Sequence, residues 1–256
     1  MKLRKRLLSI VFILLIMLLI LSLYAFFTSQ NKDNEVAATA EPTVTPTIEP
    51  TVEPTPEPTA TIDVYDTNSI LVCANKKHAL PDGYEPSDLV TPDVVSTTNW
   101  QLRQEAATAL EEMFAAAKND GVTLVLGSAY RSYAYQEQLY NGYVASKGVE
   151  GADAISSRPG YSDHQTGLAV DISDAAGQYF LYQTFENTEE GIWLYENAYK
   201  YGWIMRYPKD KQDITGYAYE PWHFRYVGVD AATAIYSVSP QETYEEYFDV
   251  EGGDYE

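Results

Sequence analysis

Five successive four-residue units, EPTV, TPTI, EPTV, EPTP and EPTA, run from Glu41 to Ala60 and put proline at positions 42, 46, 50, 54 and 58. Each proline removes a backbone donor and fixes φ near −65°, so neither a helix nor a sheet ladder can pass through this stretch. An extended polyproline conformation is expected instead; at about 3.1 Å per residue, Ser29 to Ile62 would reach on the order of 100 Å. The repeat therefore divides the chain, and whatever lies on either side of it must fold by itself.

Before the repeat, Lys2, Arg4, Lys5 and Arg6 precede an uncharged apolar run from Leu7 to Phe27. At about 1.5 Å rise per residue such a run spans the ~30 Å hydrocarbon core of a bilayer, and the basic cluster should stay cytoplasmic. A cleaved signal peptide is the competing reading. Its apolar region is usually about 7–15 residues and ends at a small-residue site, whereas this run is longer and ends in YAFFTSQ. The organisation expected is a basic tip and transmembrane anchor over 1–28, a stalk over 29–62, a folded domain over 63–239 held outside the cytoplasm at the cell membrane, and an acidic tail over 240–256.

Apart from the four basic residues at the N-terminus, the chain carries 13 Lys and Arg against 37 Asp and Glu. Such a surface repels nucleic acid at long range, and no nucleic-acid partner is expected. Glu242 to Glu256 holds seven acids and no base, which reads as a solvated, partly disordered end. Cys73 is the chain's one cysteine, so no intramolecular disulfide can form; in the setting SILVCAN it reads as a small buried apolar residue. A monomer is expected.

Within the domain, Leu102, Ala106, Leu110, Met113 and Ala117 recur at helical spacing over Asn99–Lys118, with Gly121 as a stop. VTLVLGS (122–128) reads as a buried strand, Tyr133–Lys147 as a helix stopping at Gly148, and LAVDI (168–172) as a strand with Asp171 on one face and Val170 and Ile172 on the other. Thr188 can cap a helix running to Tyr201 with Gly202 behind it, and GWIMRY and HFRYVG are further strands. Strands and helices alternate without a regular βαβ rhythm. The expected fold class is therefore α+β: one domain with a mostly antiparallel sheet flanked by helices.

The chain has three histidines, and two fall in RPGYSDHQTGLAVDIS (158–173) and YEPWHFRY (219–226). Zinc takes neutral imidazole and carboxylate oxygen, and a catalytic zinc has three protein ligands with one position open. His164, Asp171 and His223 supply that set, and Glu220 is the carboxylate that could take a proton from water and return it to a leaving amine. In a regular strand Glu220 and His223, three apart, would point to opposite faces, so a kink or bulge at Pro221 is required.

SAYRSYAYQ (128–136), SDHQTGLAVD (162–171) and EPWH (220–223) resemble the three signatures of VanY-type D-alanyl-D-alanine carboxypeptidases, zinc peptidases that trim peptidoglycan stem peptides; NKKHALPDGYEPSDLV (75–90) and YGWIMRYP also resemble segments of that family. The likeness covers roughly Ile70 to Ala234. It implies Zn²⁺ as cofactor, His164, Asp171 and His223 as its ligands, Glu220 as general base and acid, and Arg131 meeting the substrate carbonyl or carboxylate. It further implies peptide-end contacts from Gln136 and Ser162, with Trp222 walling the site, and the peptidoglycan stem peptide as partner. Ala129 and Asp163 stand where many relatives have Gly and Glu; neither touches a ligand position. His78 matches no zinc position and reads as structural. The resemblance leaves removal of D-alanine from the pentapeptide, the preferred reading, with LD-cleavage of the tetrapeptide, internal cleavage and a silent wall-binding module as alternatives; Glu220 argues against the last, because a binder has no use for a general base.

Overall fold

The computed structural model describes residues 63–255; the expected anchor and stalk lie outside them. Among the described residues no helix is long and apolar enough to cross a membrane.

Two short strands, β1 (Leu89–Val90) and β2 (Leu102–Arg103), pair antiparallel and lead into helix α1 (Gln104–Asn119). The helix starts later than its periodicity predicts, because Leu102 and Arg103 are taken up by the β1 pairing. Arg103 is also pinned outside the helix, its Nε donating to Asp88 and its Nη atoms to the carbonyls of Asn68 and Ser69. Within α1, Ala106, Leu110, Met113 and Ala117 are fully buried, and the alanines let the helix lie close against the sheet.

That sheet is mixed in its flanking elements but antiparallel throughout. β3 (Leu124–Ser128), β4 (Ala169–Asp174), β6 (His223–Tyr226) and β5 (Trp203–Met205) lie side by side in that order. Leu126, Val170, Ile172, Phe224 and Trp203 turn one face into a core shared with α1 and with α3 (Glu189–Asn197). Thr188 caps α3, its Oγ1 accepting from the Gly191 N–H, and Gly202 (φ 84°) ends the following 3-10 turn. The span α2 (Tyr133–Asp153) is two helical stretches, the first of which stops at Gly148 as expected. That glycine takes φ 76° and kinks the chain, which resumes helical turns so that Asp153 can accept from Tyr140 Oη and pair with Arg158.

The acidic end departs most from expectation. Instead of a solvated tail, the short α4 (Gln212–Thr215) and α5 (Val229–Val238) are followed by α6 (Tyr244–Phe248), with Tyr244, Glu245 and Val250 buried and a Thr243–Glu246 capping box at the start of α6. Composition counted these acids without their partners. Glu245 faces Arg206, Glu246 faces Lys211 and Asp254 faces Lys76, so three of the seven acids are neutralised locally. Cys73 is buried beside Val64, Ile204 and Val227, and burial pushes its thiol up to about 12.

Candidate metal centre

Strand alternation sends Val170 and Ile172 into the core and Asp171 to the opposite face. Across the ladders Asp171 is paired with His223 on β6 and with Ser128 on β3, where a register shift after Leu126 re-aims the strand end. His164 arrives from a single 3-10 turn, Asp163–Thr166, that Gly167 closes at φ 70°; a Cβ there would stand 3.0 Å from Arg103 Cγ and Leu89 Cδ2. Thr166 fixes the turn, its hydroxyl donating to Asp163 O and accepting from Leu168 N.

The three side chains converge. One ligand atom from each of His164, Asp171 and His223 lies within 4.8 Å of the others, and all three residues are buried. His164 Nδ1 is 2.7 Å from Ala129 O, which requires a proton on that nitrogen and turns the Nε2 lone pair toward Asp171, 3.3 Å away. His223 Nδ1 is 3.1 Å from Asp171 Oδ1. His164 Nε2 and Asp171 Oδ1 are buried with no hydrogen-bond partner. Two imidazoles and a carboxylate that meet at one point, with His164 Nε2 and Asp171 Oδ1 unpartnered, fit a divalent metal of the zinc type.

Glu220 reaches the same point, its Oε2 3.6 Å from His223 Nδ1. Of the kink or bulge expected at Pro221, the chain takes the kink: His223 N–H donates to Glu220 O at 3.1 Å, so Glu220 to His223 form a tight turn that leads into β6. A turn places its first and fourth residues side by side, which a strand does not.

Burial sets the electrostatics. It lowers His164 to about 4, helped by the Arg131 cation and opposed by Asp171. For His223 burial works downward too, but Asp163 and Asp171 outweigh it and raise the ring to about 9. Asp171, despite burial, is held well below the usual carboxylate range by the two histidines. Glu220 is lifted by burial to about 7, with His223 and Arg131 pulling down and Asp171 pushing up.

A cleft of about 570 Å³ opens above these groups, and Arg131, Gln136, Ser162, Trp222, Tyr207 and Tyr217 are among its walls. Arg131 lies 3.4 Å from Asp171 through Nη2 and donates to Gln136 Oε1 at 3.4 Å through Nη1, while its buried Nε has no partner. Gln136 is 1% exposed, and its amide donates to Ser156 Oγ and Ser157 O. Both ends of this side chain are thus engaged within the protein, and it holds Arg131 as well as bordering the cleft. Ser162 is buried at the start of the His164 turn, and Trp222 belongs both to the wall and to the core. His78 stays apart, its backbone paired with Asn75 and its ring against Tyr65.

Sequence reasoning missed the groups behind His223. Asp163 is not remote from a ligand residue: its Oδ2 is 3.6 Å from His223 Nε2, and it also pairs with Arg206 and Arg225. Tyr207, fully enclosed, lies with its ring 4.8 Å from that of His223. An acid directly before His164, together with arginines in two strand segments otherwise apolar, was the available signal.

Comparison with known proteins agrees with this geometry. The sequence model of the VanY family, D-alanyl-D-alanine carboxypeptidase, matches residues 99–229. YodJ of Bacillus subtilis (strain 168) is 47% identical over 191 residues, 73% of this chain and 69% of that protein. A D-alanyl-D-alanine carboxypeptidase of Enterococcus faecalis is 36% identical over 175 residues, 65% of this chain and 61% of that one. Among solved structures, the LdcB LD-carboxypeptidase superposes with TM-score 0.68 at 47% identity, over 73% of this chain and 89% of its own. VanYB in complex with D-alanine-D-alanine superposes at 0.59 and 34%, over 71% and 97%. A VanY D,D-pentapeptidase variant in complex with Zn(II) gives 0.59 and 34%, over 70% and 98%.

Proposed function

This chain belongs to the VanY family of D-alanyl-D-alanine carboxypeptidases, and from that premise we propose that it is a zinc metallocarboxypeptidase that removes C-terminal D-alanine from peptidoglycan stem peptides. The observation that carries the reading is the convergence of His164, Asp171 and His223, with unpartnered buried donor atoms, beside Glu220 and Arg131 at the floor of one cleft.

Zn²⁺ held by His164 Nε2, the Asp171 carboxylate and His223 Nδ1 would supply Lewis acidity toward the scissile carbonyl and toward water. Glu220 removes the proton from the attacking water as the new C–O bond forms. It delivers that proton to the amine nitrogen as the C–N bond breaks, releasing D-alanine. In the metal-free site burial lifts the Glu220 carboxyl to about 7, so it is a stronger base than an exposed glutamate. Arg131, with its Nε free, is placed to receive the terminal carboxylate or the charge that grows on the carbonyl oxygen. Gln136 and the Asp171 carboxylate keep its guanidinium from swinging away.

Cleavage of the tetrapeptide, an LD-carboxypeptidase activity, is the second reading, favoured by the similarity to LdcB. The proposal includes a monomer tethered to the membrane by 1–28 through the stalk 29–62, facing the wall; these parts rest on the sequence pattern. The test is to incubate the full-length chain in detergent with stem pentapeptide and with tetrapeptide, with and without a chelator, and to follow products by mass spectrometry. Chelator-sensitive loss of one D-alanine from the pentapeptide supports the first reading and loss from the tetrapeptide the second. Loss from neither would sink both.

A further inference from the structure

Behind His223, four buried ionic side chains run from Asp163, at the cleft wall, to the C-terminal segment. Glu245 on α6 accepts from Arg206 Nη1 at 2.7 Å and Nη2 at 2.6 Å. Arg206 Nε lies 3.6 Å from Asp163 Oδ2, and the same oxygen lies 3.6 Å from His223 Nε2. Asp163 Oδ1 is taken by Arg225, whose remaining donors go to the carbonyls of Ile70, Val72 and Tyr226. Asp163, Arg206, Arg225 and Glu245 are each 1% exposed. Asn75 holds the far end, its amide donating at 3.0 Å to both Glu245 Oε1 and Glu251 O.

We propose that Glu245 is a positioning residue for the metal centre, and that the C-terminal segment is a functional part of the site through the Glu245–Arg206–Asp163–His223 line. Charges this deeply buried are rarely the cheapest way to fill a core, since apolar residues of equal volume serve stability as well or better. Their arrangement has a directional consequence. Glu245 occupies both terminal nitrogens of Arg206, leaving only Nε toward Asp163, and Asp163 Oδ2 therefore keeps no hydrogen bond to either arginine. That oxygen is the group facing the non-ligating nitrogen of His223. Without Glu245, Arg206 is free to take Asp163 in a two-point pair and draw it off the imidazole. An oriented carboxylate behind a metal-binding histidine fixes its ring and raises its basicity. Arg206 N–H also donates to His223 O at 3.1 Å, so the same residue ties the ligand's backbone. Glu245 lies beyond residue 229, where the family match ends.

The inference rests on the zinc carboxypeptidase reading, and the experiment separates the two. In the full-length chain, Glu245→Gln keeps the shape of the clamp and removes its charge. The zinc dissociation constant, read by chelator competition, should rise about 10–100-fold and kcat should fall by a similar factor, with KM for the stem peptide near its original value. Glu245→Asp should recover part of both, and the His223 Nε2–H resonance should shift in the Gln variant and return toward its place in the Asp variant. Native zinc affinity and kcat in a Glu245→Gln protein that only melts earlier would overturn the proposal. Should that variant not fold, Asp163→Asn is read in the same way, and native zinc affinity there overturns it too. A parent protein that neither binds zinc nor cleaves either stem peptide overturns the zinc carboxypeptidase reading, and this proposal falls with it.

Discussion

Asp171 and His223 stand directly opposite each other on adjacent antiparallel strands, with Asp171 Oδ1 3.1 Å from His223 Nδ1. Facing positions in such a ladder bring Cβ atoms to about 4.5–5.5 Å, so two of the three candidate metal ligands are placed by sheet register. His164 is the one member supplied by a turn, and Glu220 stands outside the strand that carries its neighbour.

Glu220 is the proton carrier in the proposed reaction. Glu220→Gln keeps the side-chain size but cannot accept a proton, and turnover of the stem peptide should fall about 10²–10⁴-fold while zinc stays bound. Steady-state kinetics with a parallel zinc titration checks this; undiminished turnover would remove Glu220 from the mechanism.

Zinc binding should release protons near neutrality. His223, raised to about 9, is protonated in the metal-free protein at pH 7, so apparent affinity should climb by up to about tenfold per pH unit toward pH 9. Calorimetry in buffers of different ionisation heats measures the released protons. Stability of the metal-free form runs the other way. A histidine raised above its unfolded value near 6.5 contributes fully below that pH, and its contribution is lost as pH rises through about 9. Glu220, raised to about 7, has the same sign over a lower range. His164, lowered to about 4, has the opposite sign below pH 6.5 and offsets Glu220 there, so melting temperature in chelator should fall from about pH 6.5 to pH 9, and the gain from zinc should widen over that range.

Gln136 couples a helix to Arg131. Gln136→Leu leaves Ser156 Oγ and Ser157 O without their donor and frees Arg131 Nη1. The expected cost is about 1–3 kcal/mol in stability, with kcat/KM down about tenfold or more as the guanidinium loses its place. Denaturant unfolding and kinetics on the same preparation test both parts, and unaltered kcat/KM would separate Gln136 from the site.

Gly167 is required by backbone conformation. Gly167→Ala at φ 70° should cost about 1–2 kcal/mol from the left-handed backbone alone, with further cost from the contacts at Arg103 and Leu89. Melting temperature should drop by about 2–4 °C per kcal/mol, and a variant that melts with the parent would show that the turn is adaptable.

Cys73 should be silent. Its buried thiol, pushed up to about 12, should resist a thiol reagent at pH 8 in the native protein and react fully once unfolded. Rapid labelling without denaturant would contradict this burial.

Much of the site was legible beforehand because its chemistry depends on residue type. Two of three histidines, an acid in a strand and an acid near the second histidine can do little else together, and alternation alone sends Asp171 away from Val170 and Ile172. Helix α1 was legible in its buried face but not in its start, since pairing of Leu102 with Val90 is a long-range choice that periodicity does not encode.

By itself, then, the sequence determined the candidate ligand set, the strand that carries Asp171, the glycine stops at 121, 148 and 202 and the cap at Thr188, all of which depend on local backbone chemistry and residue type. The tertiary structure alone decided which of the two expected routes, kink or bulge, joins Glu220 to His223, a turn through Pro221, and what becomes of the acidic end. Charges far apart in sequence cancel only when folding brings them within reach. Asp163, Arg206 and Glu245 have no visible relation along the chain, yet buried at 1% exposure each they must find one another, because an unpaired charge there would cost more than the fold can bear.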